Sequence, residues 1–438
     1  MTLGLTTILF FGLLVLLMAL GVPLVFSFGS VAILFITVYM GFDALYLIAG
    51  TAFQQWTSPI LLSIPLFILM ANLLQRSGIA EDLYQMMYLW FGRVRGGLAM
   101  GTVAICAIFG AMAGISAVGT VTMGMIALPS MLKRGYSKDI AVGCISAGGT
   151  LGILIPPSVL MIVYGYLTGA SVGKLFMAGV VPGVILSLMF MAYIGIRCLI
   201  NPKLGPAISR EDDVSFTAKL KSLVAVINPI ILIGLVLGLM YMGVCTAMEA
   251  AAIGTFGSLI VLIVNKRFTW KVLHESVTGT CRMSGMVMWI FLGAVLFSHI
   301  YSAMGAADMV AEFFTSLNVN RWVMMGCMQM VMIILGCFMD PGGIIVICIP
   351  VFMPIVDKLG FDPIWFGILF VINMELGYIT PPFGFNLFYM KALAGPLGVN
   401  MQEIYRSIIP FVLLMVLLMI MIMVWPELTL WLPNQLKF

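Results

Sequence analysis

The stretch Thr150-Leu-Gly-Ile-Leu-Ile-Pro156-Pro157 recurs 225 positions later as Glu375-Leu-Gly-Tyr-Ile-Thr-Pro381-Pro382. Two consecutive prolines remove two backbone donors and push the residue before them out of the helical region, so no helix runs unbroken through either copy. Both copies nevertheless sit in apolar sequence long enough to cross a bilayer. Carbonyls freed by such a break cannot face lipid, where nothing would satisfy them; they must line a protein cavity or hold an ion. Broken membrane helices at matching places in two halves of a chain point to an ion-coupled carrier.

Composition agrees. Of 438 residues, 62% are hydrophobic and 9% charged, against about 25% charged in a soluble globular protein. The pattern is that of an all-α polytopic membrane protein. No basic stripe is interleaved with aromatics, which excludes nucleic acid as a partner. The eight cysteines stand singly in apolar runs, without a CxxC pair, and read as small buried apolar residues. Residues 1–20 lack the basic start of a signal peptide and their apolar run continues past Pro23, so they read as a first span. Walker, HExxH, GxSxG and GxGxxG motifs are absent, and no organic cofactor is expected.

At about 20 apolar residues per crossing, ten spans are expected, near 2–21, 24–41, 56–75, 138–168, 175–200, 222–243, 247–264, 280–303, 364–392 and 403–425. An amphipathic arm at 80–92 and its counterpart at 306–317 are expected to lie in the interface. After each arm comes an apolar segment interrupted by small residues, Gly110 to Gly119 in one and Met339-Asp340-Pro341-Gly342-Gly343 in the other. These read as re-entrant helical hairpins, 98–133 and 322–358, with their tips at mid-depth inside protein.

Pro129 and Pro354, Lys133 and Lys358, Gly152 and Gly377, and Tyr164 and Tyr389 all keep the 225 shift, so the chain divides into repeat 1 (1–200), a linker (201–221) and repeat 2 (222–438). Five spans plus a hairpin per repeat turn the second repeat upside down in the membrane, an inverted pair. The broken helices are 138–168 and 364–392. Placing the linker in the cytoplasm puts seventeen lysines and arginines inside and four outside, with both termini outside. The acidic run Glu211-Asp-Asp213 reads as solvated linker.

Two acids stand in apolar surroundings, where acids are costly and usually functional: Asp340 at the second tip and Glu375 before the second break. Asp340 could be an N-cap or act electrostatically near an ion or substrate. Glu375 reads as a structural hydrogen-bond acceptor or a ligand; Thr150 takes its place in repeat 1. A sodium-like ion needs hard oxygens, available from break and tip carbonyls and from the hydroxyls of Ser116, Thr120, Thr150 and Thr380. Glycines 114, 119, 148, 149, 152, 342, 343 and 377 permit close backbone approach at these places, whereas scattered ones such as Gly234 and Gly238 read as helix-packing contacts. Half-helix N-termini aimed at the cavity suit an anionic substrate, with Ser158 and Phe383 placed to touch it. His299, one turn from the end of a span, reads as a packed side chain in preference to a proton relay. An enzyme or channel built on Asp340 and Glu375 stays open as an alternative.

The chain resembles the large membrane subunit of TRAP (tripartite ATP-independent periplasmic) transporters, the DctM-like family. The resemblance rests on Gly148 to Ser158, on Gly169-Ala-Ser171 with Phe176 to Gly183, and on Glu375 to Asn386, and it covers essentially the whole chain. It implies an elevator-type fold of the ion transporter superfamily and sodium-coupled symport of an organic anion (carboxylate, sugar acid or sulfonate) across the bacterial inner membrane, with two or more sodium ions. The implied partners are a small four-helix membrane subunit and a periplasmic substrate-binding protein. Trp56 and Trp90 are expected on an exposed apolar face for the former. By motif position, one sodium site would take in Gly114, Ser116, Gly119, Gly149, Thr150, Gly152, Ile155 and Pro156. The other would take in Asp340, Gly342, Gly343, Gly377, Thr380 and Pro381. Ser116, Pro157, Ser158, Pro382, Phe383 and Asn386 are the implied substrate contacts.

Overall fold

The computed structural model describes residues 3–207, 216–316 and 319–435, and these are helical throughout, with no strand among them. Gly and Pro set the punctuation. Gly78 and Gly305, both at positive φ, start the amphipathic helices Ile79–Phe91 and Ala306–Ser316. The first of these buries Leu83, Tyr84, Met86 and Met87 and turns Glu81, Asp82 and Gln85 outward. Each is followed by a helical hairpin, Gly97–Ala113 with Ser116–Lys133 and Arg321–Gly336 with Pro341–Lys358. Each hairpin leads into a broken helix, Lys138–Leu154 with Val159–Thr168 and Pro363–Ile379 with Phe385–Ala394, and then into a long helix, Val172–Ile200 or Met401–Val424. The same order of elements thus occurs twice.

Lys138–Leu154 packs against both limbs of the first hairpin, against Pro363–Ile379 and against Met401–Val424. A second group gathers on Trp270–Ala303, which holds Leu24–Met40 and Pro59–Gln75, the latter packed in turn on Ala247–Val264. Close packing inside the first group depends on missing side chains. A Cβ on Gly110 would sit 2.9 Å from the Gly152 Cα, and one on Gly377 would sit 3.0 Å from the Gly336 Cα, so helix meets helix backbone to backbone at equivalent places in the two halves.

Several expectations need correction. Among the described residues, seven helices are long and apolar enough to cross a membrane, or eight with one bent pair, against ten expected spans. Leu24–Met40 has only 17 residues, and the second broken helix is divided at 380–384. The span expected from 56 is preceded by helix Tyr46–Trp56, which Pro59 sets off at a 55° bend and whose Thr51, Gln54 and Gln55 hid it from an apolar count. The helix expected at 280 begins at Trp270 and has 34 residues, about 50 Å against a hydrocarbon core of about 30 Å, so its charged first turns extend beyond the bilayer. There Glu275 pairs with Arg76 at 3.7 Å. The end of the linker is helical at Phe216–Ser222, while Glu211-Asp-Asp213 lies outside the described residues. Cys106, Cys144, Cys198 and Cys348 are buried, but Cys281 and Cys327 are exposed on outward helix faces. Gly234 and Gly238 have nothing within 4 Å of where a Cβ would stand, so they are not packing contacts within this chain.

Candidate functional site

The first break begins where Ile155 leaves the helical region, continues through a cis Pro156-Pro157 bond and ends at Ser158, whose Oγ accepts from the Met161 N–H and caps Val159–Thr168. At the second, Thr380 is extended, Pro381-Pro382 is cis, and Gly384 at φ +54° starts Phe385–Ala394. The Thr380 hydroxyl donates to the Leu376 carbonyl at 2.6 Å.

Each tip is pressed against a break. Gly114 turns the first hairpin at positive φ, and a Cβ there would run into the Pro157 carbonyl oxygen; its own carbonyl accepts from the Val159 N–H at 3.4 Å. A Cβ on Gly149 would collide with the Thr120 hydroxyl, and one on Gly152 would lie 3.1 Å from the Ile115 carbonyl oxygen. At the second tip, Asp340 accepts from the Gly342 N–H at 2.9 Å and caps Pro341–Lys358, while the Phe383 N–H donates to the Cys337 carbonyl at 3.3 Å.

The two tips meet across a cavity of about 160 Å³. Gly114 and Ser116 of the first tip and Asp340 and Gly342 of the second line it together with Val159 and Tyr378. Met283, Met286 and Phe291 of the long helix Trp270–Ala303 close its far side. Three helices, Ser116–Lys133, Val159–Thr168 and Pro341–Lys358, begin with residues of the wall, and the first has no side-chain cap. Helix N-termini carry partial positive charge and unsatisfied N–H groups; Ser158 and Asp340 cap two of these, and Asp340 is the one charged side chain in the wall, so it is the uncapped N-terminus of Ser116–Lys133 that offers an anion free N–H groups.

Behind the first tip lies a link between the halves. Asn386, from the helix after the second break, is fully buried and donates through Nδ2 to the Ser116 Oγ at 2.7 Å and to the Ser146 carbonyl at 3.4 Å. The oxygens Asn386 Oδ1, Thr120 Oγ1 and Ser146 Oγ are buried with no hydrogen-bond partner in the structure. Unpaired buried oxygens are costly unless something satisfies them, and a hard cation is such a group.

The cavity therefore gathers Gly114, Ser116, Asp340 and Gly342 from among the expected site residues. Gly119, Gly149, Thr150, Gly152, Ile155, Pro156, Pro157 and Ser158 form the buried ground behind the first tip. Gly343, Gly377, Thr380 and Pro381 lie around the second, with Gly377 on Gly336. Pro382 accepts from the Tyr405 hydroxyl at 3.3 Å. Phe383 does not line the cavity; it is 45% exposed and packs on Phe385 and Phe388. Glu375 is fully buried, and neither carboxylate oxygen has a hydrogen-bond partner in the structure, which removes its reading as a satisfied structural acceptor. Trp56 is exposed as expected, but Trp90 is half-buried and donates to the Lys219 carbonyl at 3.1 Å. Sequence reasoning missed Tyr378, although it stands inside the second motif, and missed Ser146 and the methionines of the long helix, for which no local signal exists.

A family model described as the DctM component of tripartite ATP-independent periplasmic transporters matches residues 11–428. A C4-dicarboxylate TRAP transporter large permease protein DctM of Pseudomonas aeruginosa is 36% identical over 90% of this chain and 91% of its own length. An isethionate TRAP transporter permease protein DctMQ of Oleidesulfovibrio alaskensis is 30% identical over 93% of this chain and 63% of its own. Among solved structures, the YdaH transporter of Alcanivorax borkumensis superposes with a TM-score of 0.60 over 89% of each chain at 15% identity, a likeness of fold.

Proposed function

The chain belongs to the DctM component family of tripartite ATP-independent periplasmic transporters, and on that premise we propose that it is the large subunit of a sodium-coupled symporter for a small organic anion. It is a multi-pass transport protein, not an enzyme. The observation that carries the proposal is the cavity between the two hairpin tips, into which the uncapped N-terminus of Ser116–Lys133 opens beside those of Val159–Thr168 and Pro341–Lys358. A carboxylate, sugar acid or sulfonate is held there by N–H groups and partial charge, loosely enough to be released.

Sodium is the co-substrate. The unpaired buried oxygens of Thr120, Ser146 and Asn386 support an ion site behind the first tip, and Asp340 with the second break supports another. Through Asn386, the ion behind the first tip would also set the position of Ser116 at the cavity wall. Coupling follows when the tip is ordered by the ion and the anion needs the ordered tip.

The repeated order of arm, hairpin, broken helix and long helix, with the uneven placement of lysine and arginine, supports an inverted pair of repeats in the inner membrane with periplasmic termini. The packing of the first hairpin and the broken helices on one another supports an elevator movement of that group against Trp270–Ala303 and its neighbours, on which Pro341–Lys358 of the second hairpin rests. The tripartite description of the family, and a DctMQ relative that continues beyond the part matched by this chain, support a small membrane subunit and a periplasmic binding protein as partners. A membrane enzyme using Asp340 with Glu375 is set aside, since the relatives are transporter permeases and Glu375 does not line the cavity. Counterflow of labelled succinate or isethionate in proteoliposomes holding the assembled complex tests the proposal. Exchange should require sodium, and equal exchange in choline would defeat the coupling.

A further inference from the structure

A second cavity, of about 490 Å³, opens where the bend between Tyr46–Trp56 and Pro59–Gln75 faces the end of Val159–Thr168 and the last turns of Trp270–Ala303. Thr51, Gln54, Ser58, Tyr166, Ser298 and His299 line it, and it shares no wall residue with the tip cavity. His299 is therefore not the packed side chain expected from the sequence; it is exposed to this space.

The wall holds an imidazole, a carboxamide and several hydroxyls, but no aspartate, glutamate, lysine or arginine. Such a wall can donate many hydrogen bonds and opposes an anion with no fixed negative charge. Val159–Thr168 joins the two cavities, since Val159 lines the first and Tyr166 the second; at 10 residues, it spans about 15 Å. The geometry points to a second, weaker binding station for a carboxylate, near the tip cavity and distinct from it, in which His299 is a hydrogen-bond donor. The choice of a carboxylate rests on the anion reading of the tip cavity; the existence of the site rests on its own wall.

The charged groups near His299 do not compete for that role. Of the elements packed on Trp270–Ala303, Pro59–Gln75 carries no charged or titratable side chain. Leu24–Met40 and Tyr46–Trp56 carry only Tyr39 and Tyr46. Glu312 of Ala306–Ser316 and Lys358 of Pro341–Lys358 pair with each other at 4.0 Å, and neither they nor Asp357 line the cavity. The remaining acid there, Asp308, has its side chain outside the described residues.

The chain has two histidines, His274 and His299, so imidazole-labelled protein in detergent gives two resonances that His274→Gln assigns. Succinate is the probe and 1,4-butanediol its uncharged counterpart. The His299 signal should shift saturably with succinate and not with the diol. Gln54→Ala and Ser298→Ala should each weaken the response. A His299 signal indifferent to succinate in folded protein, or equally responsive to the diol, overturns the inference. So does a response lost in Asp340→Asn but kept in Gln54→Ala, which would locate the ligand at the tips. Failure here would leave sodium-dependent exchange standing, and loss of sodium dependence would leave this titration standing, so the two readings fail separately.

Discussion

Replacing Asn386 with alanine separates the structural part of the inter-half link from its part in ion binding. The side chain is fully buried and makes two hydrogen bonds, to Ser116 Oγ at 2.7 Å and to the Ser146 carbonyl at 3.4 Å. Each is worth about 0.5–1.5 kcal/mol net, so the variant without sodium should lose about 1–3 kcal/mol of stability. Its Oδ1 has no protein partner and is free to bind an ion. An oxygen bonded to a charged group contributes about 1.5–3 kcal/mol, so sodium affinity should fall roughly ten- to hundred-fold. Thermal unfolding in detergent reads both, with sodium exchanged for choline at fixed ionic strength. The sodium-free midpoint gives the first loss, and the concentration at which sodium raises the midpoint gives the second. Asn386→Asp keeps the oxygen and loses the donor. It should fall further without sodium, where a carboxylate faces the Ser116 and Ser146 oxygens, and should recover on adding sodium. If Asn386→Ala is destabilised but keeps the parental sodium midpoint, the unpaired oxygens are not ion ligands and the reasoning fails.

Gly152→Ala and Gly377→Ala each place a methyl within about 3 Å of facing backbone and should cost about 1–3 kcal/mol by overpacking. Gly285→Ala, with open space around it, should gain up to about 1 kcal/mol; thermal midpoints that fail to separate the two classes would refute the contact argument. Pro156→Ala and Pro381→Ala restore a backbone donor at each break and let helix propagate into it. Each should weaken sodium binding by about one to three orders of magnitude as one or two carbonyls withdraw, and calorimetry with parental sodium affinity in both would refute it. Asp340→Asn preserves an equally good N-cap, so folding should change little while sodium-driven uptake falls at least roughly ten-fold on loss of the intramembrane charge.

Much of this architecture is written along the chain. Gly78, Gly305, the tips at Gly114 and Asp340 and the two proline pairs are local signals, because glycine permits and proline forbids particular backbone angles whatever surrounds them. Helix ends accordingly fall at these glycines and prolines. What one element presents to another is not local. Nothing near Asn386 indicates that it reaches Ser116, 270 positions away. The helix Tyr46–Trp56 was hidden by its own polar residues, and the outward faces of Cys281 and Cys327 follow from which side of a uniformly apolar helix finds a neighbour. In a chain where apolar residues face both lipid and core, periodicity no longer distinguishes the two. Glu375 was legible as an anomaly, but its lack of a partner became visible only with its surroundings in place.

The central claim is that sodium and an organic anion cross together. The direct test follows radiolabelled sodium and labelled anion entering the same proteoliposomes, containing this chain with the proposed membrane and periplasmic partners, at clamped voltage. The account predicts that the two fluxes rise and fall together at a fixed ratio, with at least two sodium ions per anion, and that both fall at least roughly ten-fold in Asp340→Asn. Anion entry at an undiminished rate with no accompanying sodium would contradict it.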